Sequence, residues 1–472
     1  MVDRRPSRLP AITAGACLLL LAAEGGHSAQ RPLLLRDVTL LPLTGEAPRS
    51  GQSILVRGER IEQVGPSPQV RAPGSARVVE GAGRFAIPGL TDAHVHVKRS
   101  SADLDRLLPL FVAHGVTTVV NLDGGPTVLA LRDQVSRGER AGPTIYTSGP
   151  IIRGSAGMTA EQGERIASEQ IEAGYDLLKL YNAVPAEAHR AIVERARAAG
   201  VPVIGHAVRS VGVDGAIESG QHLAHMEELV YGFFTWERRL ERPQVLPDDV
   251  VARLDLLLDP AQIPALARRI AEAGIFVVPN LTAYHHIERQ LVDLDRELAR
   301  PEVAWMPESM TRSWQRDRNG YLNRPDPERF LRGVRRTFPF LQQLTSAFQQ
   351  AGVPLLVGTD VGIPVIVAGS STHDELVELV DAGLTPAQAL AAATAAAARF
   401  LGRADAGEIA PGFVADLVLL REDPVAGIAA IRSVDAVVVR GRLYERDELD
   451  ALLELEDRGA RSRPSARSAS SG

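Results

Sequence analysis

At Leu90-Thr-Asp-Ala-His94-Val-His96, an apolar run ends in two histidines separated by one residue. Residues i and i+2 of a β-strand point to the same face, so both imidazoles can approach one cation. Such a pair also arises by chance in a chain with 11 histidines. Its interpretation therefore depends on the polar residues that end the other strands.

The sequence after this pair alternates strand-like and helical runs. From Phe85 onward, apolar runs are separated by helical segments such as 185–199 and 261–273, which is typical of βαβ units and a parallel sheet. The eight candidate strands end near His96, Asp123, Ser148, Tyr181, His206, His225, Asn280 and Asp360. Eight parallel strands in series predict an α/β fold with a (β/α)8 barrel over residues 85–401.

Shorter β-rich runs flank the predicted barrel. Residues 32–84 and 402–445 carry strand patterns broken by Gly and Pro turns, and together they predict a small β-sandwich domain. Residues 446–472 predict an acidic helix followed by a disordered tail rich in Ser, Arg and Pro. Segments 227–260 and 282–350 are longer than a barrel crossover requires, and such insertions often cover an active site.

Residues 1–29 predict a cleaved signal peptide. A basic start is followed by an apolar run over 11–23 and a small-residue cleavage site that ends at Ala29. The run is too short to span a bilayer comfortably, so we expect no stable membrane span and a periplasmic or secreted protein. An anchor helix that stays attached is the alternative, and the Arg4-Arg5 pair leaves both Sec and twin-arginine export open. Cleavage would remove Cys17, the single cysteine, and with it any thiolate chemistry.

Composition favours a small-molecule partner. The formal net charge is -6, and the 52 basic and 58 acidic residues are spread without a basic block, so the chain offers nucleic acid no electrostatic footprint. Hydrophobic residues make up 45% of the sequence, enough for a large core. A homo-oligomer remains open.

The polar residues at the predicted strand ends are of one chemical kind. In a parallel barrel, chemistry gathers at the carboxyl ends of the strands. The candidates there are His94, His96, Lys179, His206, His225 and Asp360. Four imidazoles with a carboxylate suit zinc or a similar divalent ion.

Each candidate also has an ordinary structural interpretation. A lone histidine is more often a core or surface group than a ligand, and Asp360 could cap a following helix. Lys179 lies in an apolar strand, from which it could extend outward to solvent. If it is buried, its pKa falls, and the neutral amine can react with carbon dioxide to give an anionic bridge between two metals. His222 is a rival of His225 as a ligand.

Several ordered motifs resemble one superfamily. They begin with Ile87-Pro-Gly-Leu-Thr-Asp-Ala-His94-Val-His96 and continue through Val203-Ile-Gly-His206, Gly358-Thr-Asp360 and Gly407-Glu-Ile-Ala-Pro-Gly412. From about Leu35 to Gly441, the chain resembles the amidohydrolase superfamily, in particular its imidazolonepropionase-like and Xaa-Pro or Xaa-Arg dipeptidase-like members. Two positions depart from that pattern. The run from Gly220 to His225 is one residue short, and Met158 stands where some relatives have a histidine.

The resemblance implies a distorted barrel beside a small β-sandwich, with a binuclear zinc centre. One metal would be held by His94, His96 and Asp360, and the other by His206 and His225. A CO2-derived carbamate on Lys179 would bridge the two metals.

The resemblance also implies a hydrolytic mechanism. A hydroxide shared by the two metals would attack a carbonyl carbon. Asp360 would be the catalytic residue that takes the proton of the hydroxide and passes it to the leaving amine. The second metal, with His285 or Tyr231, would polarise the carbonyl oxygen.

The motif match and the predicted export favour hydrolysis of an amide bond in a dipeptide or an N-acyl amino acid. Several residues that follow strands could reach the pocket mouth, and of these Arg153 and Arg209 would suit a substrate carboxylate. Hydrolysis of a cyclic amide of the imidazolone or hydantoin kind, or of a lactone, would use the same metals. A metal-free barrel that acts as a binding protein is the alternative of another class.

Overall fold

The computed structural model describes residues 31–43, 45–97, 100–155, 157–230 and 260–454. The predicted signal peptide of residues 1–29, the candidate residue Tyr231 and the end of the predicted tail, 455–472, lie outside the described residues. None of the helices that are described combines the length and the apolar character needed to cross a membrane.

The described residues contain both strands and helices along most of their length. The strands are β1 Leu33–Leu40, β2 Arg49–Arg57, β3 Arg60–Pro66, β4 Arg77–Glu80, β5 Phe85–Pro88, β6 Leu90–Val95, β7 Val116–Asn121, β8 Thr144–Thr147, β9 Leu178–Leu180, β10 Val203–Gly205, β11 His222–Ala224, β12 Val277–Val278, β13 Leu417–Leu420, β14 Val434–Val439 and β15 Arg442–Glu445. The helices are α1 Ser101–Ala113, α2 Pro126–Ser136, α3 Ala160–Glu172, α4 Ala186–Ala199, α5 Gly212–Ser219, α6 Met226–Val230, α7 Ile263–Glu272, α8 Leu281–Val292, α9 Leu294–Leu298, α10 Glu308–Trp314, α11 Pro327–Gln350, α12 Ser370–Asp381, α13 Pro386–Ala392, α14 Ala395–Phe400 and α15 Arg446–Leu453. This is a mixed α/β fold, as the sequence predicts.

One mixed sheet combines the two flanking segments. Its order is β15-β14-β13-β5-β1-β2-β3, and β4 pairs with β1. Strand β5 is parallel to β1 and antiparallel to β13, so it joins the early strands to the late ones. Apolar residues of both segments, among them Leu35, Ile54 and Leu417, form one buried cluster. Strand β5 lies within the segment predicted as barrel, yet its hydrogen bonds place it in this sheet.

The strands from β6 to β12 are parallel and form two sheets, β6-β7-β8 and β12-β11-β10-β9. Isolated bridges connect the neighbouring edges, from Ser148 to Leu177 and from Val277 to Leu355. A further bridge joins Val361 to Val95 of β6. The predicted eighth strand, which ends at Asp360, is thus an extended segment held by single bridges rather than a continuous ladder.

The long segment after β12 forms one wall above these strands. Helix α8 packs against the 24-residue helix α11, and α10 lies between them in sequence. Asp326 caps α11, because its side chain accepts a hydrogen bond from the backbone N–H of Arg329. The predicted insertion over 282–350 is therefore helical, and most of the other, 231–259, lies outside the described residues.

Candidate metal centre

Two histidines and one aspartate meet at the end of β6. His94 lies in β6, His96 follows it, and Asp360 ends the neighbouring extended segment. The Nε2 atom of His96 lies 2.8 Å from Oδ1 of Asp360, and Nε2 of His94 lies 3.5 Å from the same oxygen. One potential ligand atom from each of the three residues falls within 4.8 Å of the others. This spacing is suitable for a shared metal ion.

Two further histidines extend the group from the ends of β10 and β11. The ring centroids of His94 and His225 are 4.7 Å apart, and those of His225 and His206 are 4.6 Å apart. His222 lies elsewhere: its Nδ1 accepts a hydrogen bond from the backbone N–H of Phe276, and its ring packs against Phe276 and Phe400. Of the two candidates at this strand, His225 joins the cluster and His222 does not.

Lys179 of β9 is buried beside the same residues. The side chain is 1% exposed, and its Nζ has no hydrogen-bond partner among the described residues. Burial lowers the pKa of Lys179 to about 8, against the opposing charges of Asp360 and Glu228. A buried amine without a partner is costly unless it is neutral or chemically modified.

The rarity of lysine in this chain is a second indication, besides the strand pattern, that Lys179 has a special role. Lys179 and Lys98 are the only lysines among the 52 basic residues. Arginine cannot lose its proton in a protein, whereas a buried lysine can become a neutral amine. A buried lysine in a chain that otherwise uses arginine indicates a need for amine chemistry.

The protonation states of the side chains in this cluster favour the binding of a metal ion. Burial lowers the pKa of His94 and His206 well below the usual value, and that of His225 to about 3, so the rings are neutral. Burial acts to raise the pKa of Asp360, but the His94 and His96 rings outweigh it and keep that carboxyl ionised. Nε2 of His94 and Nδ1 of His206 are buried without a hydrogen-bond partner. Neutral imidazoles with free nitrogens beside a carboxylate are a donor set that fits a divalent ion.

The backbone is strained at the ends of these strands. Asp360, His225 and Asn280 have φ values of 59°, 73° and 55°, in the left-handed region that side chains other than glycine rarely adopt. Such a conformation costs about 1–3 kcal/mol per residue and persists where surrounding contacts impose it. Two of the three residues carry candidate ligands, so the strain coincides with the site.

Asn280 connects three of the elements that carry candidate ligands. Its Oδ1 lies 3.1 Å from Nδ1 of His94 and 3.2 Å from the backbone nitrogen of His225. Its Nδ2 donates a 2.8 Å hydrogen bond to the carbonyl oxygen of Gly358. With Nδ1–H of His94 donated to this amide, Nε2 is left free and aimed at the cluster.

We expect Asn280→Gly to weaken divalent metal binding about 10- to 100-fold, because His94 loses the bond that fixes its tautomer. Glycine accepts the left-handed backbone, so the change adds no strain. Asn280→Asp keeps the acceptor oxygen and should lose less. Competition with a chromophoric chelator measures the affinity, with Asn323→Ala, at an exposed amide on another loop, as the control. An unchanged affinity in Asn280→Gly would contradict the positioning role.

Asp92 fixes the same strands from below. Its carboxylate accepts hydrogen bonds from the side chain and backbone of Thr359, at 2.7 and 3.1 Å, and from the Thr372 hydroxyl at 3.0 Å. It also accepts from the backbone N–H of His94 at 3.2 Å. The loop that ends in Asp360 is therefore tied to β6. Sequence analysis did not single out Asp92, although a carboxylate inside an apolar strand is a signal in itself.

A cavity of about 580 Å³ opens above the cluster. Its walls include all six candidate ligands and, of the predicted substrate residues, Arg153 and Arg209. His285 is not among the lining residues: its Nδ1 is hydrogen-bonded to Glu378. Tyr181 and Tyr284, which follow strands in the sequence, also line the cavity as expected for residues near its mouth. The lining residues that were not predicted from the sequence include Asn182, Glu227, Glu228, Ile287, Tyr321, Arg324, Phe330, Val334 and Ile363. Most of the upper wall thus comes from the long segment after β12.

Two glutamates, Glu228 buried and Glu227 partly buried, lie next to the histidines in this cavity. Oε1 of Glu228 is 3.7 Å from Nδ1 of His206, and Oε1 of Glu227 is 3.8 Å from Nδ1 of His225. Burial raises the pKa of Glu227 to about 8 and that of Glu228 to about 7. Arg209 opposes the second shift through its charge. The cavity floor therefore combines metal donors with acids that are partly protonated near neutral pH.

The fold and the donor set define an α/β protein with a site that fits a divalent metal. The amidohydrolase family pattern matches residues 85–444, so the chain belongs to the amidohydrolase family. Members of this family are typically metal-dependent.

Two curated relatives illustrate the sequence similarity. An adenine deaminase of Rubrobacter xylanophilus is 34% identical over 114 residues, which are 22% of this chain and 19% of the relative. A dihydroorotase of Pelobacter propionicus is 26% identical over 234 residues, or 47% of this chain and 51% of the relative. The chain thus matches about a fifth of the deaminase and about half of the dihydroorotase.

Solved structures match over nearly the whole fold. A bottromycin amidohydrolase superposes with a TM-score of 0.72 at 26% identity, covering 92% of this chain and 91% of its own. A Xaa-Pro dipeptidase with methionine bound in its active site superposes with a TM-score of 0.63 at 19% identity, covering 88% of this chain and 100% of its own. The second similarity is one of fold alone.

Proposed function

We propose that this chain is a binuclear metal-dependent amidohydrolase that cleaves an amide bond in a dipeptide or an N-acyl amino acid. The observation that carries the proposal is the convergence of four histidines, one ionised carboxylate and one buried lysine on a single cavity. Three buried nitrogens in this group, on His94, His206 and Lys179, have no hydrogen-bond partner. A metal site explains why they are buried together.

The proposed architecture is a distorted (β/α)8 barrel beside a small β-sandwich. The two parallel sheets and the extended segment at Asp360 supply eight strand positions, and the bridges at Ser148, Val277 and Val361 lie where such a barrel would close. The polar cluster lies at the carboxyl ends of these strands, where barrels of this kind place their active sites.

Each metal would have its own donors. His94, His96 and Asp360 would hold one ion, and His206 and His225 the other. The amine of Lys179 would form an N–C bond to carbon dioxide and release one proton, which gives a carbamate between the two sites. Imidazole and carboxylate donors favour zinc.

Bound divalent ions would supply two things here: a water molecule of lowered pKa and polarisation of the substrate carbonyl. Asp360 is ionised and therefore able to take a proton at a carboxylate oxygen and return it to the leaving nitrogen. Arg153 and Arg209 give the cavity mouth a positive charge that attracts a substrate carboxylate.

A screen with measured metal content tests this function. Protein expressed and purified with zinc should release amino acids from members of a dipeptide and N-acyl amino acid library, and the same protein after chelation should not. A carefully loaded protein that releases no amino acid from the library would refute the proposal. Less than about one metal ion per chain would favour the binding-protein alternative.

Cyclic amides are the second candidate substrates. The observation in their favour is the dihydroorotase match, which covers about half of both chains. Hydantoins, lactones and linear dipeptides should be compared at equal concentration with the zinc-loaded protein. Faster turnover of the hydantoins than of the dipeptides would indicate that the substrates are cyclic amides. Faster turnover of the lactones would indicate that they are lactones.

A further inference from the structure

The upper wall of the cavity contains Arg324, which has no acceptor for its Nε–H among the residues that the structure describes. This nitrogen is buried. Among the described residues, no carboxylate forms an ion pair with Arg324. Arg335 on the adjacent helix α11 is different, because it pairs with Glu288 at 2.8 Å.

Two aromatic rings hold the guanidinium of Arg324 in place. Its central carbon lies 4.0 Å from the ring centroid of Phe330 and 5.3 Å from that of Tyr321, and the two rings are within 12° of parallel. Aromatic faces attract the cation but accept no in-plane hydrogen bonds. The terminal N–H donors of the guanidinium therefore remain available for a planar, two-oxygen acceptor.

The loop that carries this arginine is fixed to the rest of the fold. Asn319 is fully buried, and its Nδ2 donates a 2.8 Å hydrogen bond to Oε1 of Gln290 on α8. Its Oδ1 accepts from the backbone N–H groups of Tyr321 and Leu322. Arg324 is thus presented from an anchored turn, which lowers the entropy cost of binding.

The surface next to Arg324 is apolar. Ile287, Phe330 and Val334 form a buried cluster, with Tyr284 and Ile363 packed against it. These residues line the same cavity as the candidate metal ligands. An acceptor that reaches Arg324 from the metal cluster would therefore place an adjoining side chain against this wall.

We propose that Arg324 binds the α-carboxylate of the amino acid released from the substrate. The apolar wall formed by Ile287, Phe330 and Val334 would bind an apolar side chain of that amino acid. This inference rests on the proposed function for its reaction, but not for its binding step. Arg209 is less suited to this role because its charge already acts on Glu228, and Arg153 is exposed above the Tyr181 ring.

The kinetic test compares an acid with its neutral counterpart. We expect the wild type to prefer N-acetyl-L-leucine over N-acetyl-L-leucinamide in kcat/KM. Arg324→Gln should lose about 10- to 100-fold on the acid and little on the amide, chiefly through KM. Arg324→Lys keeps the charge without the fork and should lie between. Arg332→Gln, at an exposed position of α11, is the matched control. Equal losses on both compounds would overturn the proposal, because they indicate a structural role.

A binding test separates this proposal from the function on which it rests. Calorimetry with N-acetyl-L-leucine and N-acetyl-L-leucinamide requires no turnover. Carboxylate-dependent binding that Arg324→Gln removes would support the carboxylate site even if the amide bond is never cleaved. If the wild type hydrolyses the substrate but Arg324→Gln binds N-acetyl-L-leucine as tightly as the wild type does, the carboxylate site is overturned. The proposed function would still stand. Failure of the wild type to bind the acid would also overturn the site.

Discussion

Replacing Lys179 with methionine should remove at least one metal ion per chain and lower kcat about a thousandfold or more. Methionine fills the space of the buried stem without the amine, so the fold should survive and the thermal midpoint should stay close to that of the metal-free wild type. Lys179 is 1% exposed, and its Nζ has no hydrogen-bond partner in the part of the chain that the structure describes. The variant therefore breaks no hydrogen bond between described residues. Elemental analysis, melting curves and steady-state kinetics on one preparation measure the three quantities.

The same variant tests the carbamate. In 13C-bicarbonate buffer the wild type should show a carbamate carbon resonance that Lys179→Met lacks. Lys98→Ala should retain it, and since these are the chain's two lysines, little background is expected beyond the N-terminal amine. A Lys179→Met protein with both metals and normal turnover would remove the bridge from the mechanism.

Asp360→Asn should lower kcat by about 10³- to 10⁴-fold with a much smaller effect on KM. The substitution keeps the shape of the side chain but removes the charge and the site for the transferred proton. Asparagine tolerates the left-handed backbone at this position, where φ is 59°, so the loss would not come from added strain. Kinetics and metal content must be measured together, because the same carboxylate is a candidate ligand.

The control for this second variant is Asp214→Asn. Asp214 makes an exposed ion pair with Arg269 at 2.7 Å, and such pairs contribute about 0–1 kcal/mol to stability. Activity should not change. If Asp360→Asn kept more than about a tenth of the wild-type kcat with full metal content, another group would have to carry the proton.

The candidate ligands could be predicted from the sequence because strand order and side-chain alternation are local properties. His94 and His96 share a face by their spacing, and the strand ends place Asp360 and His206 at the same rim. The structure brings these residues together with His225 and Lys179. The sequence already favours His225 over His222, because an odd number of positions separates them along the strand and puts them on opposite faces. In the structure, His225 lies in the cluster and His222 packs elsewhere.

The supporting residues could not be predicted, because their roles depend on contacts between distant segments. Asn280 bonds to His94 across 186 positions, and Asp92 bonds to Thr359 across 267. Arg324 reaches the cavity from a turn whose position depends on a buried amide pair between Asn319 and Gln290. His285 follows a strand as predicted, yet its bond to Glu378 takes it away from the cavity wall.

Strand β5 has a consequence for how the chain folds. It needs partners from both sides, β1 before it and β13 more than 300 residues later in the sequence. During synthesis, all candidate ligands up to Asp360 are made while one edge of β5 still lacks its neighbour. Pairing across such a separation is slow, and an unpaired apolar edge invites association with other chains. A protein truncated before Leu417 should therefore aggregate rather than yield a smaller active enzyme. Folding can be completed only after the final strands have been synthesised.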